Sequence, residues 1–346
     1  MRLIILTPGF AADEHDANCI PPLQLLALEL LGKGVDLQIV ALEYPFRSER
    51  YRWHNATVFP CNGQNRRWLK PRTLLRAARF CDGIVAENKA DAIHSFWLGW
   101  ASRTGEKVSK RYDMPHVTTL MGQDVLPANG FFLRSLTAER CSRIVALSSF
   151  QNGVLEKTGG CRAAHVIPWG VPEREIPALL SSERPLDVLG VGSLVAVKNW
   201  EKWLRTLALA ARENPGIRAE LLGDGPERRR LQALAGASGL SETVHFAGNL
   251  PRARVLACMR EAKVLLHTAD FESFGYALAE AAMNGCRIVG TPVGVARELG
   301  VTAENEGKLA DLLLKEIGQP VKNQPFVPFH IKDTADAYMR LYKNLQ

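Results

Sequence analysis

Two glutamates, Glu272 and Glu280, flank a segment, Ser273-Phe274-Gly275, whose residue types suit the binding of an anion. The pattern predicts a strand that ends near Thr268 and a helix that begins around Gly275, where glycine permits a tight turn and close approach of a ligand. The amide groups and positive dipole at the start of such a helix bind anions. Glu280, just over one turn inside, could accept hydrogen bonds from a ribose diol. The alternative is an ordinary amphipathic helix with a glutamate on either side.

Short apolar runs alternate with amphipathic helical windows along nearly the whole chain, which is typical of parallel α/β architecture. Strands are predicted at Leu3–Leu6, Leu37–Leu42, Ala92–Phe96, Val117–Leu120, Ile144–Leu147, Ala164–Ile167, Asp187–Val191, Ala219–Leu222, Val244–Ala247, Lys263–His267 and Arg287–Gly290. Helices are predicted from Pro21 and at Arg72–Cys81, Gly99–Tyr112, Phe132–Arg140, Ser149–Lys157, Trp200–Arg212, Glu227–Ala237, Arg252–Glu261, Tyr276–Asn284 and Ile331–Leu345.

The segment Pro168–Pro185 lacks periodicity and is the best linker candidate. It predicts an N-terminal domain over residues 1–170, a C-terminal domain over residues 171–325 and, in residues 326–346, a helix that packs back on the first domain. Two doubly wound domains joined by a hinge are expected to face each other across a cleft and to bind a ligand between the carboxyl ends of their sheets.

Composition excludes several classes of protein. The 346 residues are 47% hydrophobic and 23% charged, which excludes a disordered or fibrous chain. The seven cysteines never form a C-x-x-C pair, so we expect lone thiols in a reducing compartment rather than a disulfide framework or a zinc site. The first apolar run is too short for a signal peptide, and no run approaches the ~20 residues that cross a bilayer. We therefore expect a cytoplasmic protein.

The string E-S-F-G-x-x-L-x-E-A-x-x-x-G, from Glu272 to Gly285, resembles the signature of the retaining GT-B glycosyltransferases of family 4. The resemblance implies an α/β GT-B fold with two Rossmann-like domains. It also implies transfer of a sugar from a nucleotide-sugar donor, a UDP- or GDP-sugar, to a glycan or lipid-linked acceptor. No cofactor is implied, because the nucleotide sugar is a substrate.

Further segments resemble the donor side of this family. Gly192 and Ser193 precede a lysine, Lys198, like the family's strand–glycine–loop and its phosphate-binding lysine, although a solvated loop lysine is the alternative. The resemblance implies that Lys198 and the amides of Phe274–Ala277 hold the diphosphate, Glu280 the ribose and Glu272 the donor sugar. The implied donor-binding residues are Gly9, Ser193, Lys198, Gly223, Leu250, Glu272, Ser273, Phe274, Gly275, Ala277 and Glu280.

In the first half, Asp91-Ala92-Ile93-His94 resembles the family's D-x-x-H strand, and Asp124 ends a segment similar to its T-x-H-G-x-D motif. The resemblance implies that His94 and Asp124 line the acceptor side and join Glu272 and Lys198 as catalytic residues. A core histidine with satisfied hydrogen bonds is the alternative for His94. The loop Asp13–Asp16 either covers the donor or is simply solvated.

Two departures from the family pattern bear on catalysis. Met121 stands where a histidine near the transferred sugar is usual, and a thioether cannot titrate or donate a strong hydrogen bond. Ser193 stands where a second phosphate-binding arginine is frequent. These departures motivate a second hypothesis, ranked below the enzyme, of a non-catalytic nucleotide-sugar-binding relative. A dinucleotide-dependent oxidoreductase is ranked below both, because Thr7-Pro8-Gly9-Phe10 replaces the expected G-x-G-x-x-G.

The remaining expectations concern metals and surfaces. The histidines form neither H-E-x-x-H nor a cysteine–histidine cluster, and an Asp-x-Asp motif is missing, so no metal site is predicted. The segment Arg47–Phe80 holds nine Lys or Arg against Glu49 alone, with Trp53 and Trp68 interleaved. Relatives suggest docking of such a segment on an anionic membrane, which makes the protein peripheral on the inner face. A solvated face is the alternative, and no motif supports nucleic-acid binding.

Overall fold

The computed structural model describes residues 1–16, 19–178, 180, 183–321 and 324–345 and divides into two compact units. Unit 1 comprises Met1–Pro172 and His330–Gln346, and unit 2 comprises Glu173–Phe329. The chain therefore changes unit at Pro172, where the sequence predicted residue 170, and returns at His330, where it predicted residue 326. Within the predicted linker, residues 179, 181 and 182 lie outside the described part of the chain.

The strands of unit 1 that the structure describes form an eight-stranded sheet with the order β3-β4-β2-β1-β5-β6-β7-β8. They are β1 (Arg2–Gly9), β2 (Asp36–Tyr44), β3 (Tyr51–Trp53), β4 (Ala56–Pro60), β5 (Ala92–Phe96), β6 (His116–Thr119), β7 (Ile144–Ala146) and β8 (His165–Val166). All neighbours pair in parallel except β3 and β4. The run Leu3–Leu6 in β1 is fully buried, as expected of a central strand covered on both faces.

The helices of this part of unit 1 are α1 (Pro21–Gly32), α2 (Lys70–Glu87), α3 (Trp100–Tyr112), α4 (Gly130–Leu133), α5 (Ala138–Cys141) and α6 (Ser149–Gly159). The single helix predicted at Phe132–Arg140 was wrong. The chain breaks between α4 and α5 because the Thr137 side chain accepts a hydrogen bond from the Arg140 amide and so caps a new helix. The hairpin of β3 and β4 was not predicted, because that segment was interpreted only by its charge.

Unit 2 contains, within its described residues, a six-stranded parallel sheet with the order β11-β10-β9-β12-β13-β14. Its strands are β9 (Leu186–Val191), β10 (Ala219–Leu222), β11 (Val244–Gly248), β12 (Ala262–His267), β13 (Arg287–Gly290) and β14 (Val301–Thr302). From β9 the chain proceeds to β10 on one side, whereas from β12 it proceeds to β13 on the other. A topological switch point, where such sheets bind ligands, therefore lies at the carboxyl ends of β9 and β12.

The helices of unit 2 are α7 (Trp200–Glu213), α8 (Arg228–Ala237), α9 (Arg252–Glu261), α10 (Tyr276–Met283), α11 (Ala296–Leu299) and α12 (Glu306–Ile317). Buried Trp203 and Leu207 of α7 and Leu309 and Leu313 of α12 share one core with the sheet. The chain then returns to unit 1 as α13 (Ile331–Asn344), where Asp336 pairs with Lys33 beside α1 at 2.6 Å. Both units are Rossmann-like, as the predicted α/β fold class requires.

The cysteines differ from the expectation that all seven are lone thiols. Cys141 at the end of α5 and Cys161 after α6 form a disulfide, with Cα atoms 6.5 Å apart. The separation of 20 residues gave no sign of this proximity, which the packing of α5 and α6 creates. Among the described residues, no helix combines the length and apolar character that a membrane span requires.

Candidate functional site

The residues singled out in unit 2 come together at the switch point. Lys198 ends a short 3-10 turn that follows β9, and Glu272 lies in the loop that follows β12. The same loop leads through Gly275 into α10. The carboxyl ends of adjacent strands therefore supply a lysine, a carboxylate and a helix N-terminus at one edge of the sheet.

Gly275 sets the direction in which α10 begins. Its φ of 86° lies in the left-handed region, and an added Cβ would approach Leu278 Cδ1 to 2.7 Å, so the position requires glycine. The preceding residue, Phe274, is buried against Phe329, and its carbonyl accepts a hydrogen bond from the Val295 amide at 2.9 Å. The loop is thus fixed before the first turn of α10, whose amide groups lack intrahelical acceptors and attract negative charge.

Glu272 is held by two cationic or hydrogen-bonding side chains. Its Oε1 accepts a hydrogen bond from Lys198 Nζ and lies 3.2 Å from His267 Nε2 at the end of β12. Burial raises the pKa of Glu272, but the hydrogen bond with His267 and the charge of Lys198 outweigh it and lower the pKa to about 2. Glu272 is therefore a carboxylate at every physiological pH, paired with the lysine that the sequence singled out.

Glu280 lies inside α10 and is also paired with a cation. Its side chain is 8% exposed, and Oε1 accepts a hydrogen bond from Arg252 Nη1. Burial raises the pKa of Glu280, and Arg252 opposes this rise. Glu280 is therefore not an isolated carboxyl in an apolar interior, because Arg252 is its partner.

The other predicted donor residues of unit 2 surround the same strand ends. Gly223 follows β10 with a φ of 132°, and an added Cβ would collide with the carbonyl of Gly192, so glycine keeps the ends of β9 and β10 in contact. The Ser193 side chain is exposed, while its carbonyl accepts a hydrogen bond from Trp200 Nε1 at 2.9 Å. Leu250 is half-buried beyond β11, Ser273 is buried and Ala277 is half-buried.

The predicted residues of unit 1 have different surroundings. His94 on β5 is fully buried, with Nδ1 2.6 Å from Tyr342 Oη and Nε2 2.8 Å from Thr119 Oγ1. Burial, and to a lesser degree the charge of His116, lowers the pKa of His94. Because both ring nitrogens are engaged inside unit 1, the geometry favours the alternative of a core histidine with satisfied hydrogen bonds.

Asp124 is also buried, and its carboxylate accepts hydrogen bonds from the backbone amides of Leu98 at 2.9 Å, Gly122 at 3.0 Å and Met121 at 3.2 Å. Burial raises its pKa to about 6, against the effect of these amides. The carboxylate therefore organises the loop after β6. Gly9 is buried at the end of β1, and its carbonyl accepts a hydrogen bond from Thr7 Oγ1 at 3.0 Å.

The acidic loop Asp13–Asp16 is tied into its own turn. Asp13 accepts hydrogen bonds from the amides of His15 and Asp16, and Asp16 accepts one from Tyr44 Oη at 2.9 Å. Asp13, Glu14 and His15 are exposed, which fits the alternative of a solvated loop.

Sequence reasoning missed two residues of the unit 2 cluster, His267 and Arg252. A histidine at the last position of a strand that leads into the Glu272 loop is a usable signal for His267. Arg252 follows Leu250 and Pro251 at the start of α9, but its pairing with residues far along the chain leaves no local pattern. Among the described residues, no group of His, Cys, Asp and Glu side chains is placed to hold a metal ion.

Comparison with known proteins settles the family. The model described as glycosyl transferases group 1 matches residues 172–311, and the model described as Glycosyltransferase Family 4 matches residues 23–175. The chain belongs to the GT-B glycosyltransferases of family 4.

Individual proteins agree with this assignment. The glycosyltransferase is 26% identical to the 2-deoxystreptamine N-acetyl-D-glucosaminyltransferase of Streptomyces fradiae, over 86% of this chain and 82% of that protein. Its fold is similar to that of sucrose-phosphate synthase from Thermosynechococcus elongatus (TM-score 0.72, 15% identity, 99% and 98% of the two chains). It is also similar to that of Anabaena Alr3699/HepE in complex with UDP and glucose (TM-score 0.67, 17% identity, 100% and 97%).

Proposed function

We propose that this glycosyltransferase is a retaining enzyme that transfers a sugar from a nucleoside-diphosphate sugar to a glycan or lipid-linked acceptor. The observation that carries the proposal is the meeting of Lys198, Glu272 and the N-terminus of α10 at the switch point of unit 2, with Glu280 one turn further along. A cation and oriented amide dipoles at one place suit a diphosphate.

The ion pair between Lys198 and Glu272 suggests how the donor enters. A diphosphate competes for the Lys198 ammonium and releases the Glu272 carboxylate, which then accepts hydrogen bonds from the hydroxyl groups of the donor sugar. Lys198 and the α10 amides stabilise the negative charge that develops on the departing diphosphate. In retaining transfer without an enzyme nucleophile, the acceptor attacks on the face that the diphosphate leaves, so positioning and charge stabilisation carry the catalysis.

The donor class is a UDP- or GDP-sugar, and the UDP complex of the Anabaena neighbour favours UDP. We propose that Asp124 and His94 contribute indirectly, by fixing the strand-end loops of unit 1, rather than by touching the reacting atoms.

We also propose that no cofactor takes part and that Lys198 and the α10 amides supply the positive charge a divalent metal ion would otherwise bring. Turnover that is unchanged by EDTA is the expected result, and loss of turnover that Mg²⁺ or Mn²⁺ restores contradicts it.

Titration calorimetry and product analysis test the function. The protein is titrated with UDP and GDP and incubated with a panel of their sugars, with and without hydroxylated acceptors, and the anomeric configuration of the product is read by NMR. We expect binding of one nucleotide and a product with the configuration of its donor. Inverted configuration refutes the retaining mechanism, and nucleotide binding without transfer or donor hydrolysis supports the alternative of a non-catalytic relative. Absence of nucleotide binding refutes the donor site.

The segment Arg47–Phe80 supports a further proposal, peripheral docking on an anionic membrane. Trp68, directly after Arg66 and Arg67, is 71% exposed, with the Arg66 guanidinium 5.8 Å from its ring centroid, whereas Trp53 is buried in the core. Phe46 and Leu75 are exposed as well. Basic residues near an anionic surface contribute about 1 kcal/mol each. Co-sedimentation with phosphatidylglycerol vesicles but not phosphatidylcholine vesicles is expected, and equal binding to both, or to neither, contradicts the proposal.

We propose a cytoplasmic location, which the thiols of the native protein test. Disulfides are rare in a reducing cytosol, so protein from a cell lysate that is denatured without reductant and alkylated at once should carry modifications at both Cys141 and Cys161, including the buried Cys141. If both stay protected until a reductant is added, the protein is exposed to an oxidising compartment and the proposed location is wrong.

A further inference from the structure

Arg252 links three segments of unit 2 through its guanidinium. Nη1 donates to Glu280 Oε1, while Nη2 and Nε donate to Glu175 Oε2 and Oε1 at 2.6 and 3.3 Å. The guanidinium carbon also lies 5.6 Å from the ring centroid of Tyr276, at the start of α10. Glu175 ends the 3-10 turn that opens unit 2, Arg252 begins α9, and Glu280 lies in α10.

The geometry of these contacts differs at the two carboxylates. Glu175 takes both of its hydrogen bonds from Arg252 in a bidentate arrangement, which fixes the plane of the guanidinium. Glu280 uses only Oε1, and its Oε2 receives no hydrogen bond from any described residue. The pair with Glu175 thus orients Arg252, and Arg252 in turn orients Glu280 with one oxygen left for a ligand.

The charges of the cluster explain why a cation is needed there. Glu280 is nearly buried, and burial together with the charge of Glu175 raises its pKa, which Arg252 opposes. A carboxylate offers acceptors to two hydroxyl groups, whereas a protonated carboxyl presents a donor in place of one acceptor. Without Arg252, Glu280 would lose both its fixed orientation and the charge that opposes the rise of its pKa.

We propose that Arg252 is a positioning residue for the donor ribose: held by Glu175, it aims Glu280 so that its carboxylate accepts hydrogen bonds from the ribose hydroxyls. The inference rests on the proposed function of the site and adds a residue that the sequence pattern did not mark. Arg252 acts through Glu280, not on the reacting atoms. Its effect therefore appears as recognition of ribose rather than as general affinity for the diphosphate.

Calorimetric titration with UDP and its 2′-deoxy and 3′-deoxy counterparts tests the proposal. In the wild type, loss of a ribose hydroxyl that binds a carboxylate should weaken binding about tenfold. Arg252→Met should weaken UDP binding by a similar factor and abolish the discrimination between UDP and the deoxy nucleotide. Arg252→Lys, which keeps the charge but not the bidentate geometry, and Glu175→Gln should give intermediate discrimination. Glu280→Gln serves as the reference for lost ribose recognition.

A variant that binds UDP and the deoxy nucleotides with the wild-type ratio overturns the proposal, whether or not its overall affinity falls, because a merely structural role lowers all affinities together. If Arg252→Met does not fold, the ratios measured for Arg252→Lys and Glu175→Gln decide in its place. Absence of UDP and GDP binding by the wild type overturns the proposed function and this inference with it. Wild-type nucleotide binding with unchanged discrimination in the variants overturns the inference alone.

Discussion

In unit 2, Glu272 and Glu280 are held by the side chains of Lys198 and Arg252, whereas in unit 1 Asp124 is held by backbone amides. A flexible cationic side chain can leave its carboxylate when an anion or a hydroxyl arrives, but a backbone amide can move only if the loop is rebuilt. The family resemblance places all three of these carboxylates in the binding or catalytic site, but their partners differ in how easily a ligand can replace them. Glu272 can exchange Lys198 for a ligand, Glu280 keeps Arg252 and offers its other oxygen, and Asp124 of unit 1 serves as an anchor for its loop.

The sharpest test of this difference is Lys198→Ala. If Lys198 exchanges Glu272 for the donor diphosphate, its removal should lower kcat/KM by about 10²–10³-fold, as loss of a charge-stabilising donor does elsewhere. The free energy of unfolding should change by less than about 1 kcal/mol, because the pair is partly exposed. Steady-state kinetics and urea unfolding measure both quantities, with Lys202→Ala on the neighbouring helix as the control. An unaltered kcat/KM would show that Lys198 does not bind the donor diphosphate.

Asp124→Ala should lower the stability of the protein and leave nucleotide binding unchanged. Removal of the carboxylate leaves the buried amide of Leu98 and the half-buried amide of Gly122 without their acceptor, which should cost about 2–3 kcal/mol of unfolding free energy. Nucleotide binding by the folded fraction should be unchanged. Asp124→Asn, which retains one acceptor oxygen, is the matched control and should lose less. A fully stable but inactive Asp124→Ala protein would restore the catalytic role that the sequence suggested.

Substitution of His94 distinguishes a catalytic histidine from a core histidine by a smaller effect. His94→Gln should destabilise the protein by about 1–2 kcal/mol through its lost partners Tyr342 and Thr119. Its kcat/KM per folded molecule should stay within about twofold of the wild type, whereas a general acid or base contributes 10²–10⁴-fold. Tyr342→Phe removes one of the same hydrogen bonds without touching the ring of His94, and should reproduce part of the loss of stability.

Sequence reasoning reached the unit 2 site because its information is local. The strand, the Gly275 turn and the start of α10 follow one another within a few residues, and only glycine satisfies the backbone at the turn. Lys198 was suggested by the resemblance of the segment after β9 to the family's phosphate-binding loop. Structure that is determined within one short segment, such as this turn and helix start, could therefore be predicted from the sequence.

The contacts that were missed join distant segments. Arg252 meets Glu175 and Glu280 across separations of 77 and 28 residues, and Cys141 meets Cys161 through the packing of two helices. No pattern within a short stretch of sequence indicates a contact between residues so far apart in the chain. Helix α12 is a different case, because Asn305 caps it and Leu309 and Leu313 lie on its buried face, so its signal was present and was not used.

The smallest expected effect compares the pH response of the two kinds of carboxylate. The pKa of Asp124 is raised to about 6 in the folded protein, so the folded state takes up a proton before the unfolded state does. Its contribution to stability is therefore full below the ordinary aspartate pKa and is lost as the pH rises through about 6. Between pH 7 and pH 5 acidification should add about 1 kcal/mol to the unfolding free energy of the wild type relative to Asp124→Asn.

Glu272 should contribute nothing over the same interval. Its pKa is lowered to about 2, so its stabilising pair with Lys198 and His267 is complete above the ordinary glutamate pKa and is lost only in stronger acid. Urea unfolding of the wild type, Asp124→Asn and Glu272→Gln at pH 7, 6 and 5 separates the two, since only the first substitution should remove the added stability. The same response in all three proteins would mean that Asp124 is ionised over the whole interval, and that amide hydrogen bonds stabilise its charge as fully as the cations stabilise those of unit 2.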